Sequence, residues 1–162
     1  MHVHNLHVRR LPAGETEVGA LIDSLAGEND RLWPADWPPM RFDRPLGVGA
    51  AGGHGPVRYH VVGHQPGRWV RFRFTGPRGF DGFHEFTVHP GGEATDLHNL
   101  LSMRTRGRAV LSWPLLWRPL HDAALEDCLD RAERQLTGTV RRPARWSRWV
   151  RALRALIARA QR

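Results

Sequence analysis

The ten histidines are the side chains of this chain best suited to proton transfer or metal ligation, and their spacing decides which can act together. His84 and His98 flank the turn signal Pro90-Gly91-Gly92. A hairpin folded about Gly91 sets them opposite one another, and His84 shares strand parity with Phe86 and Val88. Two imidazoles in a partly apolar hollow form a proton-transfer pair or two-thirds of a metal site, which makes His84 and His98 the catalytic candidates. The plainer reading is that each ring bonds a neighbour and holds the strands in register. His54, in Gly52-Gly53-His54-Gly55-Pro56, is either presented to a ligand or part of a long turn. His121 lies on the same helical side as Cys128 and faces the hollow, or bonds a nearby carbonyl or carboxylate. His2 and His4 have no third ligand at motif spacing, and no HExxH, CxxC or Asp-rich loop occurs, so no metal and no cofactor is expected. Cys128, the single cysteine, reads as a small buried apolar residue. The run Gly47-Val-Gly-Ala-Ala-Gly-Gly opens no helix and fails as a dinucleotide loop.

These residues need elements to carry them. Residues 2–10 alternate weakly as a first strand, and Val18, Leu21, Ile22 and Leu25 then recur at helical spacing until Gly27. From 41 to 113 the period drops to two. The spacing predicts strands over 41–48, 57–64, 68–75, 82–89, 95–104 and 108–113, parted by Gly49–Pro56 and by short Gly/Pro turns. Hairpin-length turns argue for an antiparallel meander rather than βαβ units. Tyr59, Val61, Val70, Phe72, Phe74, Phe86 and Val88 fall on one face, with Arg58, His60, Arg71 and Arg73 on the other. Arginines and aromatics on opposite faces do not make a nucleic-acid stacking platform.

After Trp113 the helical period returns. Pro119 suits a helix start, Gly138 suits the C′ position, and Asp127–Arg131 and Asp130–Arg134 are spaced as exposed i,i+4 pairs. The side bearing Leu120, Ala124, Leu125, Cys128, Ala132 and Leu136 has to cover the apolar sheet face. The ligand-lining set expected between them is Tyr59, Phe72, Phe74, His84, Phe86, His98, Leu100, Trp113 and His121.

The phrases DRLWP…WPPMRFDRPLGVGAAGGHGPVRY, PGRWVRFRF, GFDGFHEFTV, TDLHNLL and WRPLHDAALEDCLDRA, in this order, resemble uncharacterised bacterial members of the SRPBCC (START-like, polyketide cyclase-like) superfamily over about residues 2–137. The resemblance implies an α+β helix-grip fold. A curved seven-stranded antiparallel sheet would wrap a long C-terminal helix, with a ligand cavity between them. It transfers no catalytic residue.

Charge divides the chain differently. Sixteen arginines and sixteen acids balance in 1–140, so the eight arginines from Arg141 onward supply the whole net +8. Residues 1–138 are therefore expected as the ligand-binding domain and 139–162 as a separate tail. In that tail Trp146, Trp149, Val150, Leu153, Leu156, Ile157 and Ala160 make one apolar helical face among arginines. Trp146, Trp149, Leu153, Arg148, Arg151 and Arg154 are the residues expected to meet an anionic membrane, a protein partner or the chain's own domain, with nucleic acid the weaker alternative. The single cysteine, the absence of an apolar span and an unsuitable amino-terminal leader favour a cytoplasmic protein, the tail being its route to a membrane surface.

The function expected is a carrier for a hydrophobic small molecule, lipid or aromatic and polyketide-like. The alternatives are a cyclase- or dehydratase-type enzyme using the cavity histidines, and a membrane-associated interaction module.

Overall fold

The computed structural model describes residues 1–160. Ten alternating residues build β1 (His2–Leu11), and a short helix α1 (Glu15–Asp23) follows. The remaining strands are β2 (Arg41–Phe42), β3 (Ala51–His54), β4 (Val57–Gln65), β5 (Trp69–Gly76), β6 (Phe80–Pro90) and β7 (Thr95–Thr105). Strands β2 to β7 form a meander, and β1 returns beside β7, giving the order β1-β7-β6-β5-β4-β3-β2 with every pair antiparallel. A helical rod then runs through α2 (Ala109–Ser112), a π-helical turn at Trp113–Trp117, and α3 (Arg118–Thr137). Gly138 ends α3 at φ 76°, a left-handed cap that a side chain would strain. The last helix is α4 (Arg148–Ala160). This is the α+β helix-grip fold, a curved seven-stranded sheet gripping a long helix.

Two strands fall elsewhere than the spacing predicted. Of 41–48 only Arg41–Phe42 pairs, while β3 lies inside the stretch expected to be a turn. Glycine there serves close approach: a Cβ on Gly52 would stand 1.9 Å from the Arg41 carbonyl oxygen. Residues 108–113 are helical rather than extended. Ala109-Val-Leu-Ser-Trp is a short apolar run without a decisive period, and its continuity with α3 settles it.

The core lies between the concave sheet face and the rod. Tyr59, Val61, Val70, Phe72, Phe86, Leu97 and Leu101 meet Leu125, Cys128, Leu129 and Ala132 of α3, with Val18, Leu21 and Ile22 of α1 closing one end. Each Val, Leu, Ile or Phe among them contributes roughly 1.5–3 kcal/mol on burial.

Candidate functional site

Parity on β6 turns Phe80, His84, Phe86 and Val88 inward. His84 pairs with Phe72 on β5 and Leu101 on β7. Its ring stacks on Phe72 at 4.8 Å and Phe74 at 5.4 Å and meets Tyr59 edge-on at 4.9 Å. His54, inward on β3, stands 6.0 Å from Tyr59 and 4.5 Å from Trp33. His121 enters from the first turn of α3, 5.9 Å from Trp113. Three imidazoles and a phenol thus converge on one apolar interior.

That interior leaves its polar atoms without partners. The Tyr59 hydroxyl, Nε2 of His84, Nε2 of His121 and both amide atoms of Asn99 are buried with no hydrogen bond. Such a group typically costs about 1–3 kcal/mol. Burial holds His84 well below the usual imidazole range and His54 down at about 3, with repulsion from neighbouring histidines adding to it. Burial also lowers His121, against its hydrogen bond to the Asp122 carboxylate, which raises it. Burial pushes the Tyr59 phenol upward, so at neutral pH the group consists of neutral rings and a protonated phenol. Neutral imidazole nitrogens accept a proton and the phenol donates one.

This ring cluster is closed to solvent, with Tyr59 1% and His84 6% exposed. Trp33 caps His54, held by its indole N–H to the Pro38 carbonyl at 2.9 Å, while the Asp30 carboxylate accepts from the amides of Leu32 and Trp33. An open groove of about 330 Å³ lies outside, over Pro39, Arg41, Gly52, Gly53 and Phe42, and Phe42 stacks on Phe72 at 5.8 Å between groove and interior.

A second polar region lies a few residues away, and its charged groups are paired. Asn5, His7 and Arg9 point inward from β1 onto a stripe of acids on α3. The Asn5 amide donates to Asp122 at 2.9 Å, and the His7 ring N–H groups donate to Glu126 at 2.8 Å and Asp122 at 3.3 Å. Arg9 donates to Glu133 at 2.7 Å, Asp130 at 2.8 Å and Glu126 at 3.3 Å. Burial opposes a charge on His7, but the bonds to Asp122 and Glu126 outweigh it and raise the ring to about 9. His7, His121 and Asp122 are the group among the described residues with three possible metal-ligating atoms within 4.8 Å. His7 spends both ring nitrogens on carboxylates, however, which is the bonding of an imidazolium in an ion pair.

Several expected site residues lie elsewhere. His98 and Leu100 are on the outer face. His84 pairs with Leu101 and His98 with Thr87, so the β6–β7 register is offset by three from a hairpin about Gly91, and an odd offset flips the face. His98 stacks on His89 at 4.0 Å, and Leu100 lies opposite Leu6 of β1. Tyr59, Phe72, Phe74, Phe86 and Trp113 are inward and buried. The i,i+4 pairs expected on α3 do not form. Asp127 accepts the indole N–H groups of Trp37 and Trp146, Asp130 holds Arg9, and Arg131 donates to the Asp30 carbonyl. His7, Arg9 and Asn99 stand outside the candidate set that the sequence offers. The alternate spacing 5, 7, 9 on β1 and the steps 122, 126, 130, 133 on the helix are the pattern that could have found the first two.

The tail packs on the body. Trp146 crosses Trp37 edge-on at 5.8 Å, Val150 and Leu153 are buried, and the Arg154 guanidinium lies 4.4 Å from the Trp37 ring and 4.1 Å from the Trp146 ring. Of the six tail residues expected at a membrane or partner surface, Trp146, Leu153 and Arg154 are therefore engaged by the chain itself. Trp149, Arg148 and Arg151 remain exposed. Arg162 lies outside the described residues.

No protein-family model matches the chain, and no curated protein does. Solved structures do. The crystal structure of CalU16 from Micromonospora echinospora is 15% identical with a TM-score of 0.58, covering 97% of this chain and 84% of that one. Norcoclaurine synthase from Thalictrum flavum is 12% identical with a TM-score of 0.64, covering 83% and 86%. The di-domain ARO/CYC StfQ of the steffimycin biosynthetic pathway is 11% identical with a TM-score of 0.66, covering 85% of this chain and 51% of that one. Likeness at this identity establishes the shared helix-grip fold and leaves the chemistry to the site.

Proposed function

We propose that the grip interior receives an oxygen-bearing aromatic or polyketide-like molecule. The observation that carries this reading is the set of unpartnered polar atoms on Tyr59, His84, His121 and Asn99 within aromatic walls. A hydroxylated or carbonyl-bearing ring system stacks on Phe72 and Phe74 and completes those hydrogen bonds, whereas a plain lipid chain leaves them empty. The names of two fold neighbours, a norcoclaurine synthase and an aromatase/cyclase, are in keeping with such a ligand. Because the interior is closed, entry requires Trp33 or Phe42 to move.

A second reading makes the protein an enzyme of the cyclase or dehydratase type. It is favoured by the neutral His84 ring, whose free Nε2 is set among aromatics beside a protonated phenol. In this role His84 takes a proton from the substrate and Tyr59 stabilises the oxygen on which charge develops, effects of ~10²–10⁴-fold in rate.

The test begins with native mass spectrometry of protein from its own host, followed by titration with dihydroxyanthraquinone and with oxygen-free anthracene. The expected result is a retained oxygenated aromatic, at least tenfold preference for the quinone, and loss of that preference in Y59F and H84F. Equal affinity for both tricycles, or retention of a fatty acid alone, overturns the reading.

A further inference from the structure

Half of the apolar face of α4 is spent on the body, through Val150 and Leu153. The other half is not. At 100° per residue Trp149 and Leu156 lie on one line along the helix, and both are exposed, at 52% and 58%. This line continues onto the rod. The Trp149 indole N–H donates to the Leu115 carbonyl at 2.8 Å, and Leu115 of the π-helical turn and Leu111 of α2 are 63% and 72% exposed. Large apolar side chains from α2, the π-helical turn and α4 thus stand in water around the contact of Trp149 with Leu115, where soluble surfaces rarely expose so many.

Cations flank this row. Arg148 and Arg159 occupy the neighbouring exposed face of α4, Arg151 lies farther round the helix, and Arg108 stands at the head of α2. Among the described residues none of these four has a carboxylate within 4 Å. The nearby acids of α3 are already engaged: Asp122 with Asn5, His7 and Arg118, Asp127 with two indoles, and Asp130 and Glu133 with Arg9.

We infer that α2, the π-helical turn and α4 form one docking surface for an anionic lipid bilayer. Leu111, Leu115, Trp149 and Leu156 enter the acyl boundary, and the arginines lie at the headgroups. An interfacial helix carries this division of apolar edge and basic flank. No described helix is long and apolar enough to cross a membrane, so the chain lies on the surface. The two other occupants fit less well. A second copy would set these arginines against themselves with no acid between them. A polyphosphate would take the arginines and leave the leucines in water.

The experiment is flotation of the full chain at physiological ionic strength with vesicles of phosphatidylcholine alone and of phosphatidylcholine mixed with phosphatidylglycerol. Binding to the mixed vesicles is expected to exceed binding to the neutral ones by tenfold or more. Each of R148Q and R159Q is expected to weaken it about fivefold. L111S/L115S is expected to weaken it at least tenfold with an unchanged circular dichroism spectrum, both leucines being exposed. Equal binding to both vesicle types, no flotation, or full binding by L111S/L115S overturns the proposal. So does a dimer in sedimentation that L111S/L115S dissolves.

Discussion

Two polar regions share the inside of this grip, and they are built on opposite terms. Between β1 and α3, Asn5, His7 and Arg9 find a carboxylate for every charged donor. Between β3–β7 and the head of α3, the Tyr59 hydroxyl, Nε2 of His84 and of His121, and both amide atoms of Asn99 find no partner. Both regions carry histidine, and burial acts on both, yet His7 rises to about 9 while His84 falls well below the usual imidazole range. Burial alone therefore does not set the state of a buried imidazole; the partner does. The saturated region is framework. The unsaturated one stores a cost that a ligand can relieve.

The largest break of this comparison comes from Arg9. Arg9→Met leaves Asp130 and Glu133, 8% and 3% exposed, short of their main cation. A loss of about 3–5 kcal/mol is expected in urea unfolding. The pH dependence separates the two histidines more finely. The folded ring of His7, near 9, lies above the unfolded value of about 6.5, so its contribution is complete below pH 6.5 and fades as pH rises to 9. Stability is expected to fall by about 2 kcal/mol across that window, and H7N should flatten it. His84 runs the other way. Its folded value is lowered, so the unfolded chain binds more protons below pH 6.5, and stability declines as the solution becomes acidic. H84F should blunt that acid limb. At pH 7 the same change removes an orphaned nitrogen while keeping a stacked ring, so stability should stay within about 1 kcal/mol while ligand discrimination disappears. The smallest effect is expected from His98→Ala on the outer face, within about 0.5 kcal/mol and with ligand binding unchanged.

These regions were unequally legible in the sequence. Period-two runs such as Val70-Arg-Phe-Arg-Phe and the helical stripe of α3 carry the sheet face and its covering helix, because alternation and the 3.6 period follow directly from backbone geometry. The inward parity of His84 follows for the same reason. The outward face of His98 does not, because hairpin register depends on a turn whose geometry Pro90-Gly-Gly leaves open by a residue or two. The short β3 was hidden by glycines that signal a turn and serve instead an edge contact with Arg41. The acid stripe at 122, 126, 130 and 133 reads as a solvated face until β1 is known to lie across it, since a cross-element ion pair has no local signature.

The π-helical turn at Trp113–Trp117 amounts to one surplus residue inserted in an otherwise regular rod. Upstream of it Leu111 points to water; at its start Trp113 is buried against Phe80 and His121. A π turn spreads about one extra residue over the rotation of an ordinary turn, so α2 and α3 keep nearly the relative orientation they would have without it. Leu111 on the outer edge and Trp113 on the inner wall therefore tolerate the insertion, and a homologue one residue shorter here should keep both faces in place.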